Sequence, residues 1–469
     1  MLYRIAAIGA LVVTAGMVGA ASVFADSSSG ELSLSYFQHE VQPLFLVKRT
    51  GNIACATCHA GAASSNFRLQ PLKPGTFFWD AEQTQKNFDA AKQFVSFGKP
   101  LNSRLLTHPL ATAAGGDPFH GGGKHFASQR DPEWLVLRDW AMGAKQRAAI
   151  KKTAVRIVQT NAAGNGAHVI DPVSNKVVGV ISDVDIPHGV THSSDGRYVF
   201  LSNESLHTLD AIDSRTLRVW RRIPLSGRPN NVATGKDGRF VYVGIMEMPG
   251  AVDVIDTQAF ERVKTVPVNG AIHNVYVTPD GKFVVAGSIQ TSTINVVDVV
   301  TQELAWTYKM DAGIRPMTFD THPDGSTKNI YVQLSNFHGF AVVDFNARKE
   351  IARIEHPAIA SVHAHYDGLQ SAPAHGLGIP ANGKQLWSTS KVYGYAYVHS
   401  LPELKEIGRV FVGQHPEWVT FTPDGKFAYI GAAGDNQTFV VDVAKLKEVA
   451  RIPVGQVPKR IATVTMAVE

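Results

Sequence analysis

The chain has little cysteine: two residues among 469, and both lie in one short stretch, C-A-T-C-H at 55–59. Two thiols so close together cannot supply the disulfide framework found in many exported proteins, so burial of the core must hold the fold. Lys and Arg never run beyond two in a row, as in Arg221-Arg222, and the net charge is only +5. This pattern argues against a nucleic-acid-binding surface.

Long apolar runs are also absent after the first 25 residues, which excludes a later membrane-spanning helix. The beginning, MLYRIAAIGALVVTAGMVGAASVFA, has a positive Arg4, an apolar stretch and a small residue, Ala25, at its end. This pattern predicts a secretory signal peptide over 1–25, with an uncleaved anchor as the alternative. We therefore expect a mature, exported, periplasmic protein without a membrane span.

The remaining sequence divides into two parts with different patterns. Residues 33–147 combine loops with helical spacing of apolar residues, as in LSYFQHEVQPLFLV and in DPEWLVLRDWAMG. There, Asp131 and Pro132 form a helix start. From 153 to 469 the chain alternates short Val-, Ile-, Tyr- and Phe-rich strands with turns. We predict a small all-α domain followed by an all-β domain.

The all-β part is a repeat that can be aligned on its Asp-Gly or Asn-Gly turns. The turns recur every 42 to 44 residues, with one longer interval of 58, and begin at Asp195, Asp237, Asp280, Asp324, Asn382 and Asp424. This period is typical of a four-stranded propeller blade. A further blade arises if RIATVTM (460–466) pairs as the inner strand with the strands of 156–181, which closes the ring and removes its free edges. The predicted propeller has seven blades, with eight as the alternative if the long interval hides strands.

The C-x-x-C-H motif is an attachment signature for haem c. Cys55 and Cys58 would form thioethers with the haem, and His59 would bind its iron. A redox dithiol would favour a thioredoxin-like context, and zinc would need two more ligands. The motif therefore predicts a covalent haem and a cytochrome c-like domain over 33–147.

The second axial ligand of this haem is predicted among three histidines, since haem c iron takes methionine or histidine there. His120 lies in the Gly-rich loop DPFHGGGKHF ahead of the closing helix and is our first choice, followed by His125 and His108. Two histidine ligands would leave no site for a substrate, so this haem would only transfer electrons.

A ring of polar residues is predicted at one mouth of the propeller. The position seven residues before each turn falls where the innermost strand begins, and rotation about the axis brings these positions together. In blade order they are His188, Asn230, His273, Met317, His375, Glu417 and, by local similarity, Lys459. We interpret His188, His273 and His375 as metal ligands or proton carriers, and Lys459 as a proton donor or anion clamp.

Further histidines are predicted to lie on the same face, in loops or in the insertion of the long interval. They are His207, His338, His356, His363, His365 and His415, whereas His168, His192, His322 and His399 are predicted to lie elsewhere.

The stretches TPDGKFVVAGS and TPDGKFAYIGAA resemble the YVTN-type propellers of exported bacterial proteins. A haem c domain ahead of a propeller also resembles the periplasmic nitrite reductases that carry haem c and haem d1, with local similarity in PHGVTHSSDGRYVFLSNESLHTLDAID and HGLGIPANGKQLWSTS. The resemblance implies that His188 binds haem d1 iron and that His375 and His273 protonate the substrate. Seven blades instead of eight depart from that family. Copper enzymes such as nitrous oxide reductase also combine seven blades with axial histidines.

We therefore expect a periplasmic oxidoreductase or electron-transfer protein with a covalent haem c and a second redox centre, copper or a d1-type haem, at the propeller mouth. The two centres are expected to lie within electronic reach of each other. A soluble electron carrier and a small-molecule substrate would be its partners, and no nucleic acid. The alternative class is a non-enzymatic module in which the propeller binds a partner and the haem transfers electrons.

Overall fold

The computed structural model describes residues 31–61, 66–360 and 372–468. The described residues 153–360 and 372–468 form seven four-stranded antiparallel sheets around a central axis, which confirms the predicted seven-bladed propeller. Residues 31–148 form a helical part, called here the N-terminal helical part. None of the helices in the described ranges is long and apolar enough to cross a membrane. The predicted signal peptide, His363 and His365 lie outside the described residues.

Over residues 31–61 and 66–148, the N-terminal helical part contains five short helices connected by loops. They are α1 (Leu34–Tyr36), α2 (Cys55–His59), α3 (Ala81–Lys92), α4 (Arg104–Thr107) and α5 (Pro132–Ala141). After α1 the chain continues as a π-turn (Phe37–Val41) and a 3-10 turn (Gln42–Phe45), and two further 3-10 turns follow at Pro100–Asn102 and Thr112–Ala114. Helix α5 begins as predicted: the Asp131 carboxylate accepts the Glu133 backbone N–H at 2.9 Å, and Pro132 occupies the first helical position.

The blades are numbered from the first complete sheet in the chain, and each lists its strands from the axis outwards. Blade 1 consists of β4 (Pro187–His192), β5 (Tyr198–Asn203), β6 (Thr208–Asp213) and β7 (Arg218–Pro224). Blade 2 consists of β8 (Pro229–Thr234), β9 (Phe240–Ile245), β10 (Ala251–Asp256) and β11 (Glu261–Pro267). Blade 3 consists of β12 (Ile272–Val277), β13 (Phe283–Ser288), β14 (Thr293–Asp298) and β15 (Glu303–Lys309). Blade 4 consists of β16 (Ile314–Thr321), β17 (Thr327–Leu334), β18 (Gly339–Asp344) and β19 (Lys349–Glu355). Blade 5 consists of β20 (Ala374–Gly378), β21 (Gln385–Ser390), β22 (Tyr395–Ser400) and β23 (Glu406–Phe411). Blade 6 consists of β24 (Pro416–Phe421), β25 (Phe427–Ala432), β26 (Gln437–Asp442) and β27 (Lys447–Pro453).

Blade 7 joins the two ends of the propeller, as predicted from RIATVTM. It consists of β28 (Pro458–Ala467), β1 (Thr153–Asn161), β2 (Gly166–Asp171) and β3 (Lys176–Ser182). Strands β28 and β1 are antiparallel, with Thr153 opposite Ala467 and Val158 opposite Ala462. Because the last strand pairs with the first, the ring leaves no open sheet edge around the axis.

The repeated turns between the first two strands of blades 1 to 6 share one hydrogen bond, in which the Asp or Asn side chain accepts the backbone N–H of the residue two positions ahead. In blade 3, the Asp280 carboxylate accepts the Thr278 hydroxyl at 2.6 Å and the Lys282 backbone N–H at 3.2 Å. The next residue, Gly281, has a φ of +78°, which a residue with a side chain rarely adopts. Local chemistry therefore fixes this turn in each repeat, and this explains why the turns could be used to count blades.

The N-terminal helical part packs against the outer strand of blade 1. Arg147 donates to the Asp213 carboxylate at 2.6 Å and to the Glu40 carboxylate at 3.2 Å, and its guanidinium lies 4.7 Å from the centre of the Trp220 ring. Glu133 accepts from Arg218 of β7 at 3.1 Å. These buried ion pairs join the two parts of the chain at the rim of the propeller.

Candidate functional site

Helix α2 presents the C-x-x-C-H residues to a cavity of about 570 Å³ in the N-terminal helical part. Both cysteines are free thiols, and both line this cavity together with His59. The His59 Nδ1 lies 2.9 Å from the Phe67 carbonyl oxygen. A donor bond from Nδ1 to this carbonyl leaves Nε2 with its lone pair available for a metal.

His120 faces His59 across the same cavity. The ring centres are 6.2 Å apart and the ring planes differ by only 14°. The His120 Nδ1 lies 2.5 Å from the Gly123 carbonyl oxygen, so its Nε2 is also left as the available nitrogen. Burial lowers the pKa of both histidines, which favours neutral imidazoles.

The other two candidate axial histidines lie beside His120. His108 has its ring centre 4.7 Å from that of His120, but its Nδ1 lies 2.8 Å from an Asp117 carboxylate oxygen. The His125 ring centre is 5.8 Å from that of His120, and burial lowers the pKa of His125 to about 4. Neither of these histidines has a ring contact with His59 among the described residues, whereas His120 does.

Six of the seven predicted ring positions occupy the second residue of an innermost strand. They are His188, Asn230, His273, His375, Glu417 and Lys459. The prediction of Met317 is wrong, because strand pairing gives this position to Arg315: Ile314 opens β16 as Pro187 opens β4, and each is paired to the end of the next strand. Strand β16 has eight residues where β4 has six, so counting back seven from the turn stopped two residues short of Arg315. Met317 is buried in the core.

Two of the three ring histidines lie beside one tryptophan that the sequence analysis missed, and the third, His273, lies beside His188. The Trp418 ring centre is 4.1 Å from that of His375 and 6.3 Å from that of His188, and His188 is 6.4 Å from His273. Burial lowers the pKa of all three histidines, and for His273 the Arg460 charge adds to this effect. Near neutral pH, these imidazoles are therefore neutral and can bind a metal or exchange a proton.

Buried cations surround the histidines, and three of them were not predicted. They are Arg315, Lys391 and Arg460, all at most 6% exposed. The predicted Lys459 lies near them but is only half-buried. The Arg460 guanidinium lies 3.7 Å from the Trp418 ring centre and donates to the Asn274 side-chain oxygen at 2.6 Å. Burial lowers the pKa of Arg460 to about 10 and also lowers the pKa of Lys391. Arg460 directly follows Lys459 in VPKRI, and that pair was the available sequence signal.

Two carboxylates compensate part of this positive charge. The Glu204 carboxylate lies 2.5 Å from His188 Nδ1, which leaves His188 Nε2 as the available nitrogen. Glu417 Oε1 pairs with Lys391 Nζ at 2.9 Å, while its Oε2 lies 3.0 Å from His375 Nδ1 without the alignment of a hydrogen bond. Polar atoms without a partner among the described residues remain here, including Trp418 Nε1 and Arg460 Nε. The ring is therefore a cationic site with free hydrogen-bonding capacity.

The prediction that His338 and His356 join the ring is not supported by their contacts. Both pack in a separate cluster with His399, which was predicted to lie elsewhere: the His356 ring centre is 5.2 Å from each of the other two. His356 also stacks on Tyr397 at 4.5 Å. Of the other loop histidines, His207 is exposed and His415 is half-buried. Within the described ranges, no group of three or more His, Cys, Asp or Glu residues is placed to hold a metal ion.

The haem motif and the histidine ring lie at different radii of the propeller. The N-terminal helical part contacts the outer strand β7, whereas the ring residues lie on the innermost strands. Strands in a sheet are about 4.8 Å apart, so the innermost and outermost strands of a four-stranded blade are ~14 Å apart. The two candidate sites therefore do not share a pocket.

Comparison with known proteins gives one family and a common fold. The family model described as the cytochrome D1 heme domain matches residues 155–321, about a third of the chain. Hydrazine synthase of Kuenenia stuttgartiensis aligns at 20% identity with a TM-score of 0.53, over 62% of this chain and 92% of that one. The periplasmic gluconolactonase of Pseudomonas aeruginosa aligns at 18% identity with a TM-score of 0.54, over 66% of this chain and 99% of that one. No curated protein matches the chain.

Proposed function

We propose that this chain is an exported haem protein in which a cytochrome c-like domain transfers electrons and the propeller mouth binds a second, d1-type haem for oxidoreduction of a small molecule. The observation that carries the proposal of a haem c domain is the facing pair His59 and His120. The proposal of a d1-type haem at the propeller mouth is supported by the match of residues 155–321 to the cytochrome D1 heme domain and by the cationic histidine ring.

The N-terminal cavity fits a haem c held by Cys55, Cys58, His59 and His120. With metal–imidazole bonds of ~2.0 Å and ~1.1 Å from nitrogen to ring centre, two imidazoles on one metal have centres about 6 Å apart. The centres of His59 and His120 are 6.2 Å apart, and each Nδ1 is engaged by a backbone carbonyl. Such second-shell bonds orient ligating histidines. Two protein ligands leave no open position, so this haem would supply electron transfer alone.

The propeller mouth fits an anionic tetrapyrrole. The family match spans His188 and His273. His188 has a free Nε2 because Glu204 engages its Nδ1, and this arrangement orients a ligating imidazole. Arg315, Arg460 and Lys391 are buried cations that could pair with carboxylates of the ring system. His273 and His375, held neutral by burial, would donate and accept protons at the substrate.

Copper is the second candidate for this site, as in other seven-bladed enzymes with axial histidines. The residues favour the tetrapyrrole for two reasons: the described chain offers no three-ligand group for a metal ion, and four cations converge where a copper ion would add further positive charge. A periplasmic location fits the family match, and a soluble electron carrier as partner follows from the net positive charge.

The test is a chromophore analysis of the full-length protein, matured in cells that attach haem c. After acid–acetone extraction, one haem should stay on the chain, and a Cys55→Ala/Cys58→Ala variant should lose it. A second tetrapyrrole should appear in the extract, and His188→Ala should remove it while His207→Ala, which alters an exposed histidine, retains it. Bound copper without an extractable tetrapyrrole would replace our proposal by the copper alternative. A protein with one covalent haem and neither copper nor an extractable tetrapyrrole would instead be the non-enzymatic electron-transfer module.

A further inference from the structure

A second cavity lies between the N-terminal helical part and blade 1, and Arg49 lines both this cavity and the one that contains the C-x-x-C-H residues. Its volume is about 350 Å³, at the lower end of the range for small-molecule sites. The helical part contributes the segment around Lys48 and the F-F-W stretch at Phe77 and Phe78. Strand β7 contributes Val219 to Arg222. The proposed function uses none of these residues.

Arg221 is the unusual member of this lining. Its side chain is buried, with the residue only 8% exposed, and its guanidinium stacks on the Phe78 ring at 3.2 Å from the ring centre. Among the described residues it has no hydrogen-bond partner or ion pair, and its Nη1 is fully enclosed. Burial lowers the pKa of Arg221 to about 10, and the charge of Glu261 opposes this effect. An arginine stays charged near neutral pH even so, and a buried unpaired charge is costly.

The neighbouring cations differ from Arg221 because each has a carboxylate partner. Lys48 pairs with Asp183 at 2.9 Å, and Arg222 pairs with the same carboxylate at 3.0 Å. Arg218 pairs with Glu133 at 3.1 Å. The excess charge of the cavity therefore concentrates on one guanidinium that has unused donors.

The rest of the lining combines apolar and polar residues. The apolar residues are Leu46, Leu72, Phe77, Phe78, Val219 and Trp220. Thr50, Ser182 and Asp183 are polar, and Asp183 is already paired with Lys48 and Arg222. The Trp220 Nε1 is already engaged by the His39 carbonyl oxygen at 3.3 Å, so this ring offers an apolar face. A hydrated inorganic anion gains nothing from such walls, whereas an organic acid can bury its hydrocarbon against them.

We propose that this cavity binds a small organic acid whose carboxylate pairs with Arg221 and whose apolar or aromatic body lies against Phe78 and Trp220. A planar guanidinium suits a carboxylate because it can offer two parallel N–H donors. The site bridges the two parts of the chain, since Arg221 and Trp220 come from the propeller and Phe78 from the helical part.

Calorimetric titration of the full-length, haem-loaded protein tests this proposal with three probes: benzoate, its neutral analogue benzamide and inorganic phosphate. We expect benzoate to bind with one site per chain, and benzamide and phosphate to bind at least tenfold more weakly. Arg221→Met should weaken benzoate binding tenfold or more, because a hydrogen bond to a charged group is lost. Arg221→Lys should retain part of the binding through its charge.

Arg451→Met is the matched control. Arg451 also lies on an outer strand, and its guanidinium lies 4.8 Å from the centre of the Phe439 ring. Unlike Arg221, it is exposed and paired with Glu448. This variant should leave benzoate binding unchanged. Absence of benzoate binding to the wild type, or unchanged binding to an Arg221→Met protein with wild-type circular dichroism, would overturn the proposal. Phosphate binding as tight as benzoate would overturn the assignment to organic acids. If Arg221→Met does not fold, the proposal is tested by Arg221→Lys and by the comparison of the three probes on the wild type.

Discussion

The ion pairs of Arg147 give a prediction whose size can be worked out from the structure. The guanidinium is buried, pairs with Asp213 at 2.6 Å and Glu40 at 3.2 Å, and joins the helical part to blade 1. Arg147→Met keeps an apolar stem against Trp220 but removes the charge. Asp213, whose side chain is 1% exposed, would keep Arg215 at 3.5 Å as its charged partner, together with the backbone N–H groups of Arg215 and Thr216.

The expected loss of unfolding free energy at pH 7 is about 2–4 kcal/mol. Breaking one side of a buried pair generally costs about 3–5 kcal/mol, since an uncompensated charge remains. Asp213 can avoid that charge by taking up a proton, which costs about 4 kcal/mol at pH 7 for an unfolded pKa of ~3.9. The remaining Arg215 charge reduces the loss further.

The loss should also depend on pH. Burial would raise the pKa of Asp213, but Arg147 and Arg215 lower it overall in the wild type. The stabilisation is therefore present above the unfolded pKa and disappears as the pH falls through the lower, folded pKa. Without Arg147, burial should raise this pKa, and proton uptake costs only about 1.5 kcal/mol at pH 5. The difference between wild type and variant should therefore shrink from pH 7 to pH 5.

Urea unfolding followed by tryptophan fluorescence at both pH values measures this effect. Arg353→Met is the control, since Arg353 makes comparable pairs with Asp311 and Glu350 at the surface and should cost less than about 1 kcal/mol. Arg147→Met/Asp213→Asn should regain part of the stability. A loss that is equal at pH 5 and pH 7, or no larger than that of the control, would refute the reasoning.

Three further predictions concern the two candidate sites. His120→Met should raise the haem midpoint potential in a redox titration, because methionine ligation favours the reduced iron; an unchanged potential would show that His120 is not a ligand. Glu204→Gln should reduce extractable tetrapyrrole about tenfold by loosening His188, and full retention would contradict this role. Gly116→Ala should cost at least ~2 kcal/mol in thermal unfolding, because its Cβ would lie 2.0 Å from a backbone carbonyl oxygen, whereas Gly121→Ala meets no atom within 4 Å and should be neutral.

The blade count could be predicted because each repeat carries its own turn chemistry. An Asp that binds the backbone two residues ahead, followed by Gly, acts within a few residues and needs no distant partner. The same holds for α5, where Asp131 and Pro132 define the helix start. The closing of blade 7 followed because three strands remained at the N-terminal end of the repeat and one at its C-terminal end.

The members of the ring could be predicted only where the blades keep the same length. His188, His273 and His375 fell on equivalent positions, but two extra residues in β16 moved Arg315 to the place assigned to Met317. Arg460 was missed because its neighbour Lys459 held the repeat position.

The sequence by itself determined the seven blades and the C-x-x-C-H motif, because neighbouring residues specify each of these, and it indicated the closure of the ring through the strands left over at the two ends of the repeat. Tertiary structure alone decided that Arg460 stacks on Trp418, that His338 and His356 meet His399, and that the helical part packs on the rim. Such contacts join side chains far apart in the chain, and which of them form depends on packing across blades, a property that no short stretch of sequence carries.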